Sequence, residues 1–242
     1  MTIAPPSTEQ PFKGPVADAA AAAEVGPEYL EVVGKVIASH VRNELAGASV
    51  FDEPAIALAP TPREKWLACR IAMEEYGHHL KFQRLATDLG LPVHQGQPLS
   101  VFEFELTTWA EFVVLKAIVD LAEVVLMDEL VECSYLPLRH LAQALMPEER
   151  FHVSFGAVRT KELARQPARR AEVQEAVNAL VTFSLPFFGR SRSSNNDAFR
   201  RWGIKNRTND QARAEFIERT RAFVVDDVGL EYPDVSASWD GR

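Results

Sequence analysis

Apolar positions recur every three or four residues along almost the whole chain, the period of a helix with one buried face. From Pro27 to about Val50 the stripe runs through Val33, Ile37, Val41, Leu45 and Ala48. A loop is expected over FDEPAIALAPTP (51–62), after which Thr61-Pro62 opens a second helix as cap and first-turn proline. That helix passes through Trp66, Cys69, Met73, His78 and Phe82 and stops at DLGLP (88–92). A polar connection, PVHQGQPLS (92–100), leads into a long apolar helix from about Phe102 to Leu130. Tyr135-Leu136-Pro137 marks its end, and a fourth helix spans about Pro137 to Glu162. A fifth amphipathic segment runs from Ala168 to about Pro186 and ends at FFGRSRSSNND; the last clear helix covers Asp210 to about Val225. Strand-like alternation is not evident beyond a few residues. The pattern predicts an all-α protein of four long core helices with a C-terminal helical extension. It divides into a flexible leader (1–26), one domain (27–234) and a flexible tail (235–242).

Composition changes this picture little. Apolar residues make up 47% and charged residues 25%, an ordinary soluble balance, and a net charge of −8 argues against a nucleic-acid partner. No apolar run reaches the ~18 residues of a spanning helix, so no membrane partner is expected. The Pro- and Ala-rich start lacks the basic region of a signal peptide. Cys69 and Cys133 lie in apolar helical runs, which predicts two buried, reduced thiols and a cytoplasmic location.

The chemistry lies in two repeats of Glu-Glu-x-x-His, AMEEYGHHLKF (72–82) and ALMPEERFHVSFG (144–156). Residues three apart share a helix face, so Glu75 pairs with His78 and Glu149 with His152 among apolar neighbours. Buried acids need partners. Two more fall where an antiparallel bundle would bring them level: Glu44 about thirty residues before Glu75, and Asp120 about thirty before Glu149. Four carboxylates and two imidazoles at one point would repel unless two divalent cations joined them. This is the ligand pattern of carboxylate-bridged di-metal bundles. The mixed oxygen and nitrogen donors suit Fe, with Mn as an alternative. Glu123, one turn from Asp120, competes with it as ligand. Lys116, one turn before Asp120, is an alternative internal cation. Glu74 and Glu148 are expected to point sideways, as outer supporting or surface acids, and His79 away from the site. His40 is either a polar neighbour of Glu44 or partly exposed, and Tyr76 serves packing or a hydrogen bond. Ile37, Val41, Met73, Val119, Leu145 and Phe151 are expected to shield the centre from water.

The segments HVRNELAG, MEEYGHHLKF, VDLAE, ECSYLPLRHLAQALMPEERFHVSFG and WGIKNRTNDQARAEF together resemble the subunits of bacterial phenylacetyl-coenzyme A epoxidase, the catalytic subunit most. The likeness spans roughly residues 28 to 234. It implies a ferritin-like four-helix bundle with a di-metal core, held by Glu44, Glu75, His78, Asp120 or Glu123, Glu149 and His152. It further implies a di-iron monooxygenase that activates O2, with electrons from an external reductase, to oxygenate an aromatic acyl-CoA thioester. A homologous structural subunit, the reductase and an oligomeric assembly are the implied partners. A thioester of this kind needs cations for its phosphates. GRSRSSNN and RRWGIKNR supply Arg190, Arg192, Lys205 and Arg207 beside Arg200 and Arg201, unless these form a solvated loop or a subunit interface. The alternatives are a scaffold subunit with an idle centre and a ferritin-like iron- or peroxide-handling protein.

Overall fold

The computed structural model describes residues 6–92 and 98–235. Four long helices form the bundle: α2 (Pro27–Gly47), α4 (Pro62–Asp88), α5 (Trp109–Leu130) and α6 (Leu136–Ala164). Shorter helices complete the order: α1 (Ala19–Val25), α3 (Glu53–Leu58), α7 (Pro167–Ser184), α8 (Ser194–Arg201) and α9 (Asn209–Arg221). Among the described residues there is no strand, only an isolated bridge between Val16 and Tyr135. The all-α architecture is as expected.

The helices pack as two hairpins, α2 on α4 and α5 on α6. α5 is apolar around most of its circumference and buried almost throughout, because α6 covers one side while α7 and α9 cover another. Gly156 lets α6 approach α5 closely: a Cβ there would lie 2.6 Å from Val113 O and from the Lys116 carbonyl carbon. The turn Cys133-Ser134-Tyr135 and the segment around Trp202 lock together at the same end of the bundle. Ser134 Oγ donates to Trp202 O (2.7 Å) and lies 2.9 Å from Tyr29 Oη.

Several boundaries depart from expectation. The loop expected at 51–62 is largely helical: α2 runs on through a π-helical turn (Ala48–Asp52) into α3, with Pro54 in the first turn where its missing N–H costs nothing. The helix expected from Phe102 begins at Trp109. A capping box sets that start: Thr108 Oγ1 accepts from Glu111 N while Glu111 Oε2 accepts from Thr108 N. Val101 and Phe102 belong instead to a 3-10 turn packed on the core. Ser193 caps α8, a helix unforeseen in a stretch rich in Ser and Asn. Residues 6–26 of the expected leader dock on the bundle, with Val16 buried and the Phe12 ring against Tyr29 and Trp202. Cys133 is buried but Cys69 is half-exposed. Most of the connection at 92–100 and nearly all of the tail at 235–242 lie outside the described residues.

Candidate metal centre

Each bundle helix delivers its chemistry at one height. Glu44 comes from α2, Glu75 and His78 from α4, Asp120 from α5, Glu149 and His152 from α6, and all six are buried. Their donor atoms form two sets, Glu44–Glu75–His78–Glu149 and Glu75–Asp120–Glu149–His152, each with its atoms within 4.8 Å of one another. Glu75 and Glu149 belong to both, as bridging carboxylates would. The imidazole rings lie 6.1 Å apart. His78 Nδ1 is 2.9 Å from Glu149 Oε1, and His152 Nδ1 is 3.1 Å from Glu75 Oε1. Yet His78 Nδ1, His152 Nδ1 and Glu149 Oε1 have no aligned hydrogen-bond partner among the described residues. Buried polar atoms left this way are rare. Here each lies within 4.8 Å of the other donors of its set, and two divalent cations fit this donor set.

The first Glu of each repeat supports the opposite hairpin. Glu148 Oε2 lies 2.8 Å from His78 Nε2, and Glu74 Oε2 lies 2.8 Å from His152 Nε2. Each carboxylate accepts the Nε2 proton and so leaves Nδ1 to face the centre, as outer-shell acids do for metal-bound histidines. Arg70 Nε donates to Glu74 (2.7 Å) and fixes it in turn. The electrostatics follow from crowding. Burial opposes charge on His152, but Glu74 and Glu75 outweigh it and push the imidazole up to about 10. Burial and the Glu75 charge push Glu149 up to about 7.

A cation is already present. Lys116 is fully buried, with Nζ 2.7 Å from Asp52 Oδ1, 2.9 Å from Glu75 Oε1 and 3.0 Å from Asp120 Oδ2. Asp52 is itself 1% exposed. Burial opposes its charge, but Lys116 and the two histidines hold Glu75 well below the usual carboxylate range. A third group, His40–Glu44–Glu123, places Glu123 outside the two four-donor sets, with His40 Nδ1 3.1 Å from Glu123 Oε1.

Residues 17–242 match the family model described as Phenylacetic acid catabolic protein. The chain belongs to the phenylacetic acid catabolic protein family. It is 27% identical over 224 residues to one subunit of the 1,2-phenylacetyl-CoA epoxidase of Escherichia coli (strain K12), covering 88% of this chain and 72% of that protein. Its fold resembles that of a Synechococcus protein with aldehyde deformylating oxidase activity (TM-score 0.67, 16% identity, 85% of this chain and 93% of the other). This member of the family therefore has a ferritin-like helical bundle, and its buried carboxylate and histidine cluster can hold metal.

A void of about 50 Å3 lies among Glu44, Glu75, Asp120 and Glu149, walled by Phe51, Phe102, Val119 and Phe187. Asn43, Glu123 and Phe187 also line a larger cleft of about 710 Å3 that reaches His40, Lys35, Asn195 and Lys205. Of the four basic residues expected at a substrate, Lys205 alone lines this cleft. Arg190 and Arg192 are exposed and do not line it, although Gly189 and Ser193 of the same segment do. Arg207 is a correction: its guanidinium bonds Glu215 and Val125 O and lies 3.6 Å from the buried Glu129, so it braces α5 against α9. Met73 is also a correction: it is 75% exposed, because its position on α4 faces outward. Phe151 covers Arg70 (4.0 Å) on the outer face and not the centre. His79 Nδ1 lies 2.8 Å from Val41 O, away from the donors, and Tyr76 Oη donates to Glu53.

Asp52 was missed by sequence reasoning. It stands two helical turns after Glu44 on the same stripe, a signal hidden once 51–62 is read as a loop.

Proposed function

We propose that this chain is the oxygen-activating subunit of a multicomponent di-iron monooxygenase acting on an aromatic acyl-CoA thioester such as phenylacetyl-CoA. The observation that carries the reading is the pair of buried four-donor sets sharing Glu75 and Glu149. Two irons, bound there and reduced by an external reductase, supply the O2 chemistry, which belongs to the metal. The chain supplies the rest. Glu44, Glu75, His78, Asp120, Glu149 and His152 would hold the ions, Glu75 and Glu149 being common to both donor sets, and Glu74 and Glu148 hold the imidazoles by their outer N–H. Mixed carboxylate and imidazole donors suit Fe, and Mn is the competing ion.

Phe51, Phe102, Val119 and Phe187 form an apolar wall beside the donors, suited to excluding water and seating an aromatic ring. The thioester arm would follow the cleft outward. Lys205 and Lys35, with Ser193 and Asn195, offer cationic and polar donors toward its phosphates. Burial holds the Lys205 ammonium below its usual range, opposed by Glu129, so an arriving anion would stabilise its charge. The likeness to the epoxidase supports this substrate class and a homologous partner subunit.

The test is anaerobic loading with ferrous iron, a count of iron per chain, then O2 consumption and product mass with phenylacetyl-CoA and a reductant. Two irons and a product gaining one oxygen atom are expected. Two irons without any O2 consumption would refute the oxygenase. The second reading, a scaffold subunit with an idle centre, is favoured by one observation: the Lys116 ammonium already neutralises part of the cluster.

A further inference from the structure

Lys116 is not spread evenly over the centre. Its Nζ touches Glu75 and Asp120, donors of the set completed by His152, and makes no close contact with Glu44, the carboxylate at the far side. Its third partner, Asp52, belongs to neither four-donor set, although it lines the same void. We infer that Lys116 is a built-in occupant of the Asp120–His152 metal position, handed over to Asp52 when a divalent cation enters, so that the two positions fill with unequal affinity. This rests on the metal-centre reading above and concerns how that centre is loaded.

Charge compensation governs the exchange. Glu75, Asp120 and Glu149 are buried together, and a buried carboxylate without a counter-charge is strongly destabilising. An ammonium at 2.9 and 3.0 Å from two of them supplies one positive charge before any metal arrives. A divalent cation using the same two carboxylates would stand within a few ångströms of the ammonium, and like charges at that distance repel strongly in a dry interior. The ammonium must therefore move as the metal enters. Lysine is suited to this, since its compact charge sits on a flexible four-carbon stem with three rotatable donors. Asp52 gives it a buried counter-charge in both states, so withdrawal strands no unpaired ion. At the Glu44–His78 position no ammonium has to leave, so that position fills first.

Two variants shift the second step in opposite directions. Asp52→Asn weakens the alternative partner and leaves Lys116 more firmly on Glu75 and Asp120. The double variant Asp52→Asn/Lys116→Met removes the pair together and leaves no added charge in the core. The probe is Mn(II) alone, titrated anaerobically into metal-free protein, with free Mn(II) followed by EPR. In the wild type the second ion is expected to bind at least roughly tenfold more weakly than the first, about 1.4 kcal/mol. Asp52→Asn should widen that gap, and the double variant should narrow or close it. A merely structural role for the pair would weaken both variants alike. Two equal steps in the wild type, or the same gap in wild type and Asp52→Asn, would overturn the inference while leaving the metal centre intact. Wild type that binds no Mn(II) and no Fe(II) would overturn both. Should the double variant fail to fold by circular dichroism, the Asp52→Asn gap alone decides.

Discussion

Replacing Gly156 by alanine sets two helix energies against each other. Alanine in a helix interior gains about 1 kcal/mol over glycine from backbone entropy. Against this, the new Cβ would lie 2.6 Å from Val113 O and from the Lys116 carbonyl carbon, and nearer still to Ala117 N. Carbon contacts are favourable only near ~3.5–4.0 Å, so α6 must back away from α5 by roughly 1 Å. Overpacking of this kind costs ~1–3 kcal/mol, and a clash with backbone belongs at the upper end because no side chain can swing aside. The net loss is ~1–2 kcal/mol, a fall in melting temperature of roughly 2–8 °C for a domain of this size. The two helices forced apart carry Asp120 on one side and Glu149 with His152 on the other, so the second ion should also bind more weakly. Differential scanning calorimetry of the metal-free protein and a Mn(II) titration measure both effects. A variant that melts higher than the wild type and binds two ions unchanged would show that the close approach carries no energetic weight.

Two further outcomes follow from the site. Glu148→Ala removes the acceptor of His78 Nε2 while sparing every donor of the two sets, and should weaken metal binding by about 10–100-fold, as outer-shell losses do, with the fold intact by circular dichroism; full metal affinity would show that His78 needs no such brace. Phe187→Ala should hasten the removal of ferrous iron by a bulky chelator, because that ring walls both the cleft and the void, at a stability cost below ~3 kcal/mol for a half-buried ring. Equal removal rates in variant and wild type would mean that the cleft is not the route to the centre.

The parts of this protein legible in its sequence are those where burial and chemistry conflict. An acid or imidazole on an apolar stripe demands a partner, so Glu44, Glu75, His78, Asp120, Glu149 and His152 stand out, and their spacing carries the four-helix order. What stayed hidden depends on local geometry or on contacts far apart in the chain. A π-helical turn leads into a segment whose three prolines suggest a loop, and Asp52 is hidden with it. The start of α5 rests on a capping box at Thr108, eclipsed by the apolar residues before it. Met73 falls near the apolar period yet faces outward on a helix whose other face is already occupied. Arg207 resembles its basic neighbours until folding sets it beside Glu129, more than seventy residues earlier. Asp120 and Glu123 lie on one side of α5, so only three dimensions show that they fall in different donor groups.

The crossed braces on the imidazoles have a wider consequence. His78 relies on a carboxylate from α6, and His152 on one from α4, so neither half of the molecule holds a correctly aimed imidazole by itself. Cut into two pieces, this polypeptide would not yield two mononuclear sites of half the capacity; each fragment would carry a histidine free to spin and bury its nitrogen elsewhere. Competence here is a joint property, arising only at the moment the two hairpins dock.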